Sequence, residues 1–305
     1  VPQQDFDLVV IGEGIAGLCA ARCAARTGMR VATFEANLFG GLVINVTELE
    51  GYPEGRIVSG AELASELVQE NAELGVASVQ EAVEAVAPAD GGFEVVTAAT
   101  RYRARRVIAA SGARLKKLGV PGEAEFAGRG VSQCADCDGP MFQGEEVVVV
   151  GGGDSALQEA LVLARYCGRV HLVHRGERLR ARAHYVERAS ASPKISILWN
   201  TAVEAILGTK MVEKVRLRDL RAGRAHELAC AGVFAYVGLE PNAACLPPAV
   251  ARDTRGFIVT DGTLLTSVPG LWAVGALRSG YSGRLSDAVA EAERAAQAAA
   301  SQRTQ

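Results

Sequence analysis

Asp7-Leu8-Val9-Val10-Ile11-Gly12-Glu13-Gly14-Ile15-Ala16-Gly17 sets out the architecture of this chain. The run up to Ile11 is short and mostly apolar, the pattern of a strand buried in a parallel sheet. Its Gly-x-Gly-x-x-Gly leads into an alanine-rich stretch to about Arg26, which predicts a helix. After a turn at Thr27-Gly28, residues 31–35 predict a second strand ending on Glu35. This is the strand–loop–helix–strand context that a dinucleotide loop requires. Glu35 lies 23 residues beyond Gly12, close to the spacing at which an acid meets a ribose diol.

A second copy follows. Residues 147–150 predict a strand, Gly151-Gly152-Gly153-Asp154-Ser155-Ala156 opens a helix to about Tyr166, and residues 170–173 predict the next strand, ending at His174-Arg175. Gly12 and Gly151 are 139 residues apart, and so are Glu35 and His174. One glycine-rich strand end is common. Two with the same internal geometry mark a duplicated nucleotide-binding half, not a solenoid repeat. The copies differ at the adenine ribose. Glu35 can accept hydrogen bonds from a free diol, which suits FAD or NAD. His174, Arg175, Arg178 and Arg180 place positive charge where a 2′-phosphate would lie, which suits NADP over the plainer reading of a solvated loop. Candidate contacts are therefore Gly12, Gly14, Gly17 and Glu35 in the first copy, and Gly151, Gly153, Asp154, Ser155, His174, Arg175 and Arg180 in the second.

The 305 residues suffice for two domains. With 49% hydrophobic residues, 22% charged and a net charge of -3, a globular core is expected and nucleic acid is not. No apolar run approaches the roughly 20 residues of a membrane span, and residues 1–5 lack the charged-then-apolar pattern of a signal peptide. A soluble cytoplasmic protein is expected. Gly119-Val120-Pro121-Gly122-Glu123 and Gly238-Leu239-Glu240-Pro241-Asn242 are turn-rich punctuation around the second copy. The expected fold is α/β, with two Rossmann-like nucleotide-binding domains of three-layer ββα type. The second, residues 119–242, is inserted in the first, residues 1–118 and 243–305. Residues 288–300 predict a helix docked on the first domain.

Of seven cysteines, only Cys134 and Cys137 stand in a Cys-x-x-Cys spacing. An odd number in so long a chain is no disulfide framework of a small secreted domain. Cys19 and Cys23, four apart on a helix, read as small core residues. A zinc half-site needs a second ligand pair, which the sequence lacks, and a structural disulfide is disfavoured in a reducing cytoplasm. A redox-active pair remains, at a helix start where backbone N–H groups stabilise a thiolate.

With these motifs the chain resembles the low-molecular-weight thioredoxin reductases over almost its whole length. Further matching stretches are Ala110-Ser111-Gly112-Ala113-Arg114 with Leu118-Gly119-Val120-Pro121-Gly122-Glu123, and Gly128-Arg129-Gly130-Val131-Ser132. Others are Gly232-Val233-Phe234 with Gly238 and Pro241-Asn242, and Thr266-Ser267-Val268-Pro269-Gly270. The resemblance implies a FAD domain interrupted by an NADPH domain (NADH being the other nicotinamide donor), and a homodimer. Electrons would pass from NADPH to flavin to the cysteine pair, then to a thioredoxin-like protein or a small-molecule disulfide. Cys137 would face the flavin, Cys134 attack the substrate and Asp138 move protons. Gly40, Gly41, Leu42, Gly112, Gly275 and Ala276 would lie against FAD. The two turn-rich segments would be hinges for domain rotation.

The chain also departs from that family. Leu42, Gly51, Ala276 and Leu285 stand where it carries glutamine, asparagine, aspartate and glutamine. Glu13 puts a carboxylate into the first phosphate loop, Gly176 replaces an arginine, and Asp136 sits between the cysteines, where it disfavours a thiolate. At about 0.5–1.5 kcal/mol per neutral hydrogen bond, four losses would remove roughly 2–6 kcal/mol of flavin affinity. Two other readings therefore stay open: a dithiol oxidase with oxygen as acceptor, and a derived non-flavin member that binds nucleotide or a partner.

Overall fold

In the computed structural model, which describes residues 5–49, 52 and 55–301, the chain forms two units. One runs up to Arg114 and resumes at Glu240; the other is Leu115–Leu239. Gly51, one of the departures named above, lies outside the described residues.

The first unit opens with β1 (Asp5–Ile11), α1 (Ile15–Arg26), β2 (Val31–Phe34), α2 (Gly60–Glu73) and β3 (Ala77–Val79). It continues through β4 (Val83–Ala89), β5 (Gly92–Thr97) and β6 (Arg101–Ala109) to β7 (Ala113–Leu115) at the first crossing. The second unit comprises β8 (Val131–Ser132), α3 (Ala135–Asp138), β9 (Glu146–Gly151), α4 (Asp154–Tyr166), β10 (Arg169–Val173), α5 (Ala183–Ala191) and β11 (Ile195–Leu198). It then adds β12 (Thr201–Gly208), β13 (Val212–Asp219), β14 (Ala225–Ala229) and β15 (Gly232–Tyr236). From β16 (Leu239–Pro241) the chain returns to the first unit, which ends with β17 (Leu271–Ala273) and α6 (Leu285–Ser301).

The sheet of the first unit has the order β3-β2-β1-β6-β5-β4, with β17 parallel beside the end of β6. β1 is central, paired in parallel with β2 and β6. Successive side chains of a strand point to opposite faces, so Leu8 and Val10 pack with α1, α2 and α6. Val9 and Ile11 pack on the other face with Phe34, Phe93 and Ile258. Both faces are covered, which is why the run in the sequence is unbroken rather than alternating. The second unit repeats the plan. β9 is central in the parallel order β11-β10-β9-β15-β8. Val147 and Val149 meet Leu157 and Leu163 of α4, while Val148 and Val150 meet Ile206 and Leu217 of the antiparallel β12-β13-β14 sheet.

Steric demand fixes the turn from β1 into α1. Gly12 has φ +101°, and a Cβ there would lie 2.5 Å from the Ala110 carbonyl oxygen. At Gly17 a Cβ would lie 1.9 Å from the Gly12 carbonyl oxygen, so only glycine lets the helix sit this close to the strand end. α2 begins at a capping box: the Glu62 N–H donates to Ser59 Oγ and the Ser59 N–H to Glu62 Oε2. α6 is longer than the expected 288–300, starting at Leu285, whose side chain joins the core. Among the described residues no helix is long and apolar enough to cross a membrane.

The unit limits fall three or four residues before the boundaries expected at 118/119 and 242/243. Glu123, 7% exposed, accepts the N–H groups of Leu118 (2.8 Å) and Gly119 (2.7 Å), tying that turn into the second unit. Asn242 exchanges hydrogen bonds with Ser111, which ties it to the first.

Candidate active site

Cys134 and Cys137 form a disulfide, with their Cα atoms 5.3 Å apart. The chain leaves β8, and Cys134 caps α3; its Sγ accepts the Cys137 N–H at 3.1 Å while its own N–H donates to Ser132 Oγ. Ala135 is fully buried, Cys137 is exposed, and Cys134 and Asp138 are half-buried. The expected bath of free N–H groups is narrower than the sequence implies. The Ala135 N–H is already taken, donating to Glu159 Oε2 at 2.9 Å, and the Tyr236 hydroxyl donates to the same oxygen at 2.9 Å. Burial pushes the Glu159 carboxyl above the usual carboxylate range and Asp136 adds to this, while the two hydrogen bonds pull it down. Burial and the adjoining carboxylate push the Tyr236 hydroxyl far up.

Sequence reasoning missed Glu159 and Tyr236. One signal was present: Glu159 stands three residues after Ala156 and four before Leu163, on the face of α4 that is otherwise buried and apolar. The other thiols are of a different kind. Burial pushes Cys19 and Cys230 up to about 12 and Cys167 up to about 11.

Beside the second glycine loop lies a cleft of about 550 Å³, lined by residues 151–156, Lys116, Lys117, His174, Arg175, Arg180 and Tyr236 among others. The start of α4 has no side-chain cap, leaving its N–H groups free for an anion. The Asp154 carboxylate is turned away, accepting from the Arg182 N–H (2.7 Å) and Nε (2.6 Å). That engages Arg182. Among the described residues the side chains of Lys116, Lys117, Arg175 and Arg180 have no hydrogen-bond or ion-pair partner and are left to meet phosphate. Two expectations need correction. His174 is buried, and both ring nitrogens face backbone carbonyls, Gly151 at 3.0 Å and Arg178 at 2.8 Å; it shapes the loop rather than offering a donor. Arg178 contributes that carbonyl and does not line the cleft.

In the first unit the candidate FAD contacts converge. Gly14 and Gly40 form a β-bridge. A Cβ on Gly41 would lie 3.3 Å from Gly14 Cα, and one on Gly275 would lie 3.2 Å from Ala16 Cβ, whereas Gly14 itself faces open space. The start of α1 has neither a side-chain cap nor an acid in its first turn. Uncapped N–H groups beside an open glycine fit a pyrophosphate. Glu35 stands at the strand end, its Oε2 accepting the Glu13 N–H at 2.9 Å and its Oε1 the Asn37 N–H at 3.0 Å. Gly112 also faces open space. These residues fit an adenine dinucleotide.

Glu13 does not oppose it. Its side chain is 5% exposed and turns under the strands, where Oε1 accepts from the hydroxyls of Thr33 (2.5 Å) and Ser78 (2.6 Å). The carboxylate thus leaves the phosphate loop into which the sequence had placed it. Leu42 is 53% exposed and Ala276 sits in the 3₁₀ turn Gly275–Leu277, so apolar side chains stand at both positions. Glu291, which the sequence reading also missed, accepts the Gly275 N–H at 2.9 Å and pairs with Arg278.

This arrangement is that of a known family. The sequence profile described as pyridine nucleotide-disulphide oxidoreductase matches residues 6–301. The chain is 40% identical to the thioredoxin reductase of Treponema pallidum over 300 residues, covering 98% of this chain and 97% of that protein. It is 39% identical to a bifunctional thioredoxin reductase/thioredoxin of Mycobacterium leprae over 274 residues, 89% of this chain and 60% of that one. The crystal structure of Lactococcus lactis thioredoxin reductase superposes with a TM-score of 0.92 at 36% identity, covering 96% and 97% of the two chains. The chain belongs to the pyridine nucleotide-disulphide oxidoreductase family. It is a flavin-dependent disulfide oxidoreductase of the thioredoxin-reductase type, a group that works with FAD and NADPH.

Proposed function

We propose that the protein reduces the disulfide of a thioredoxin-like protein at the expense of NADPH. The observation that carries this reading is the Cys134–Cys137 disulfide at the start of α3, in the same unit as a glycine loop beside four cations that have no partner among the described residues. In the first unit Gly12, Gly14 and Gly17 would hold the FAD pyrophosphate and Glu35 its ribose, with Gly40, Gly41, Gly112 and Gly275 lining the approach. In the second, Gly151, Gly153 and Ser155 would hold the NADPH pyrophosphate, and Arg175 and Arg180 its 2′-phosphate. FAD, when bound, supplies a two-electron carrier between nicotinamide and disulfide.

The chain's own residues do the sulfur chemistry. In the dithiol state Cys134 gives its proton to Asp138 as its sulfur attacks one sulfur of the substrate disulfide, forming a mixed disulfide and releasing a thiolate, to which Asp138 passes that proton. Cys137 then attacks Cys134 Sγ, the mixed disulfide breaks, and the second substrate thiol leaves as the Cys134–Cys137 disulfide re-forms. The substrate gains two electrons and two protons, and the pair loses two electrons and the two thiol protons. Met141, 77% exposed and three residues beyond Asp138, offers an apolar foothold for a protein substrate. The fused thioredoxin of the Mycobacterium leprae relative supports the same partner.

The test is NADPH-dependent turnover with thioredoxin coupled to insulin reduction, against small disulfides such as cystine. Turnover with thioredoxin, lost in Cys134→Ser, is expected; activity with cystine alone would contradict the partner, and unchanged turnover in Cys134→Ser would contradict the role of Cys134. The working form we infer is a cytoplasmic homodimer, a compartment that suits the five free cysteines outside the pair. Sedimentation at the mass of one chain would contradict the dimer.

A further inference from the structure

We propose that Glu159, paired with Tyr236, is a positioning residue that sets the reducing strength of the Cys134–Cys137 pair. This rests on the redox reading of those cysteines. Glu159 reaches from α4 and Tyr236 from β15, and both meet at the amide that follows Cys134, in the wall formed by buried Ala135, Leu157 and Ala160.

A helix start normally turns its unpaired N–H groups toward a capping sulfur and stabilises the thiolate. Here the Cys137 N–H still donates to Cys134 Sγ, but Glu159 accepts the Ala135 N–H, which puts negative charge one peptide unit from Cys134. That charge disfavours a Cys134 thiolate. In the half-reaction the disulfide takes up two electrons and two protons to give the dithiol. Above the ordinary thiol range the reduced pair carries thiolate, and there whatever destabilises that thiolate lowers the potential and makes the pair the stronger reductant. The titratable groups that reach Glu159 are Tyr236, which donates to it, and Asp136, whose charge opposes its ionisation. A neutral side chain could accept the same two hydrogen bonds, so the charge is the part of the arrangement that a purely structural clamp would not need.

Glu159→Gln separates the two roles, because its Oε1 can still accept from Ala135 and Tyr236 while the charge is gone. The potential of the pair would be read at about pH 9.5, above the ordinary thiol range, by equilibrating the holoenzyme in a dithiothreitol redox buffer and trapping Cys134 and Cys137 by alkylation, with mass analysis of the tryptic peptide. The expected result is a shift toward easier reduction, about tenfold in the dithiol–disulfide equilibrium constant (about 30 mV). Faster alkylation of reduced Cys134 at pH 7 should accompany it. Tyr236→Phe withdraws one donor, so the carboxylate holds its proton more readily; the potential should move the same way by less, and this variant gives the answer if Glu159→Gln does not fold. An unmoved potential in a folded Glu159→Gln, or a shift of opposite sign in either variant, overturns the proposal. A wild-type pair that cannot be cycled between disulfide and dithiol overturns instead the redox reading beneath it.

Discussion

At the residue scale, what separates one cysteine from another is the neighbourhood of its sulfur. Cys19, Cys167 and Cys230 are buried and their thiols are pushed up to about 12, about 11 and about 12. At pH 8 a thiol titrating near 12 is thiolate about once in ten thousand molecules. Brief reaction of the reduced, native protein with iodoacetamide at pH 8 should therefore label Cys134 and Cys137 and spare those three, as peptide mass mapping reads directly. Labelling of Cys167 or Cys230 at a comparable rate would show that those sites open. The arginines of the second cleft are tested by preference rather than affinity alone. Arg175→Ala removes one charge-assisted contact to a 2′-phosphate, about 1.5–3 kcal/mol. The NADPH KM should rise about tenfold or more while the NADH KM stays put. Equal losses with both nucleotides would place Arg175 elsewhere than at the 2′-phosphate.

At the element scale, the strand-to-helix turns were the most legible part of the chain. The residues of Gly12, Gly17 and the second loop demand close approach by themselves, so the sequence pattern and the structure coincide there. What the sequence could not disclose depended on neighbours from distant segments. The direction of Glu13 is set by Thr33 on β2 and Ser78 on β3, 20 and 65 residues away in the chain, and no spacing rule relates them. Glu159 is hidden in the same way, because its partners lie on α3 and β15. The first arrangement gives an element-scale prediction. Thr33→Val removes one of two hydroxyls from a buried carboxylate, and should lower stability by about 1–3 kcal/mol in urea unfolding. An unchanged midpoint would mean that Glu13 does not depend on that bond. The Arg278–Glu291 pair ties the Gly275 turn to α6 with little exposure on either partner. Glu291→Ala strands the guanidinium and should cost about 3 kcal/mol by the same assay.

At the scale of the whole molecule, the duplication read from the 139-residue offset appears as two central strands, β1 and β9, each flanked by parallel neighbours and each opening a helix with an uncapped N-terminus. Composition carried no trace of a difference between the two loops; the strand-end residues carry one, Glu35 in one copy and Arg175 in the other. The Glu13 carboxylate points away from the glycine loop of the first unit and leaves that loop's N–H groups open. The most direct measurement is the visible spectrum of the purified protein during anaerobic titration with NADPH. The expected result is a yellow protein, with or without added FAD, whose oxidised-flavin band in the visible bleaches on addition of NADPH and returns when thioredoxin disulfide is added. A protein that stays colourless after incubation with FAD, or a yellow one that NADPH does not bleach, would contradict it.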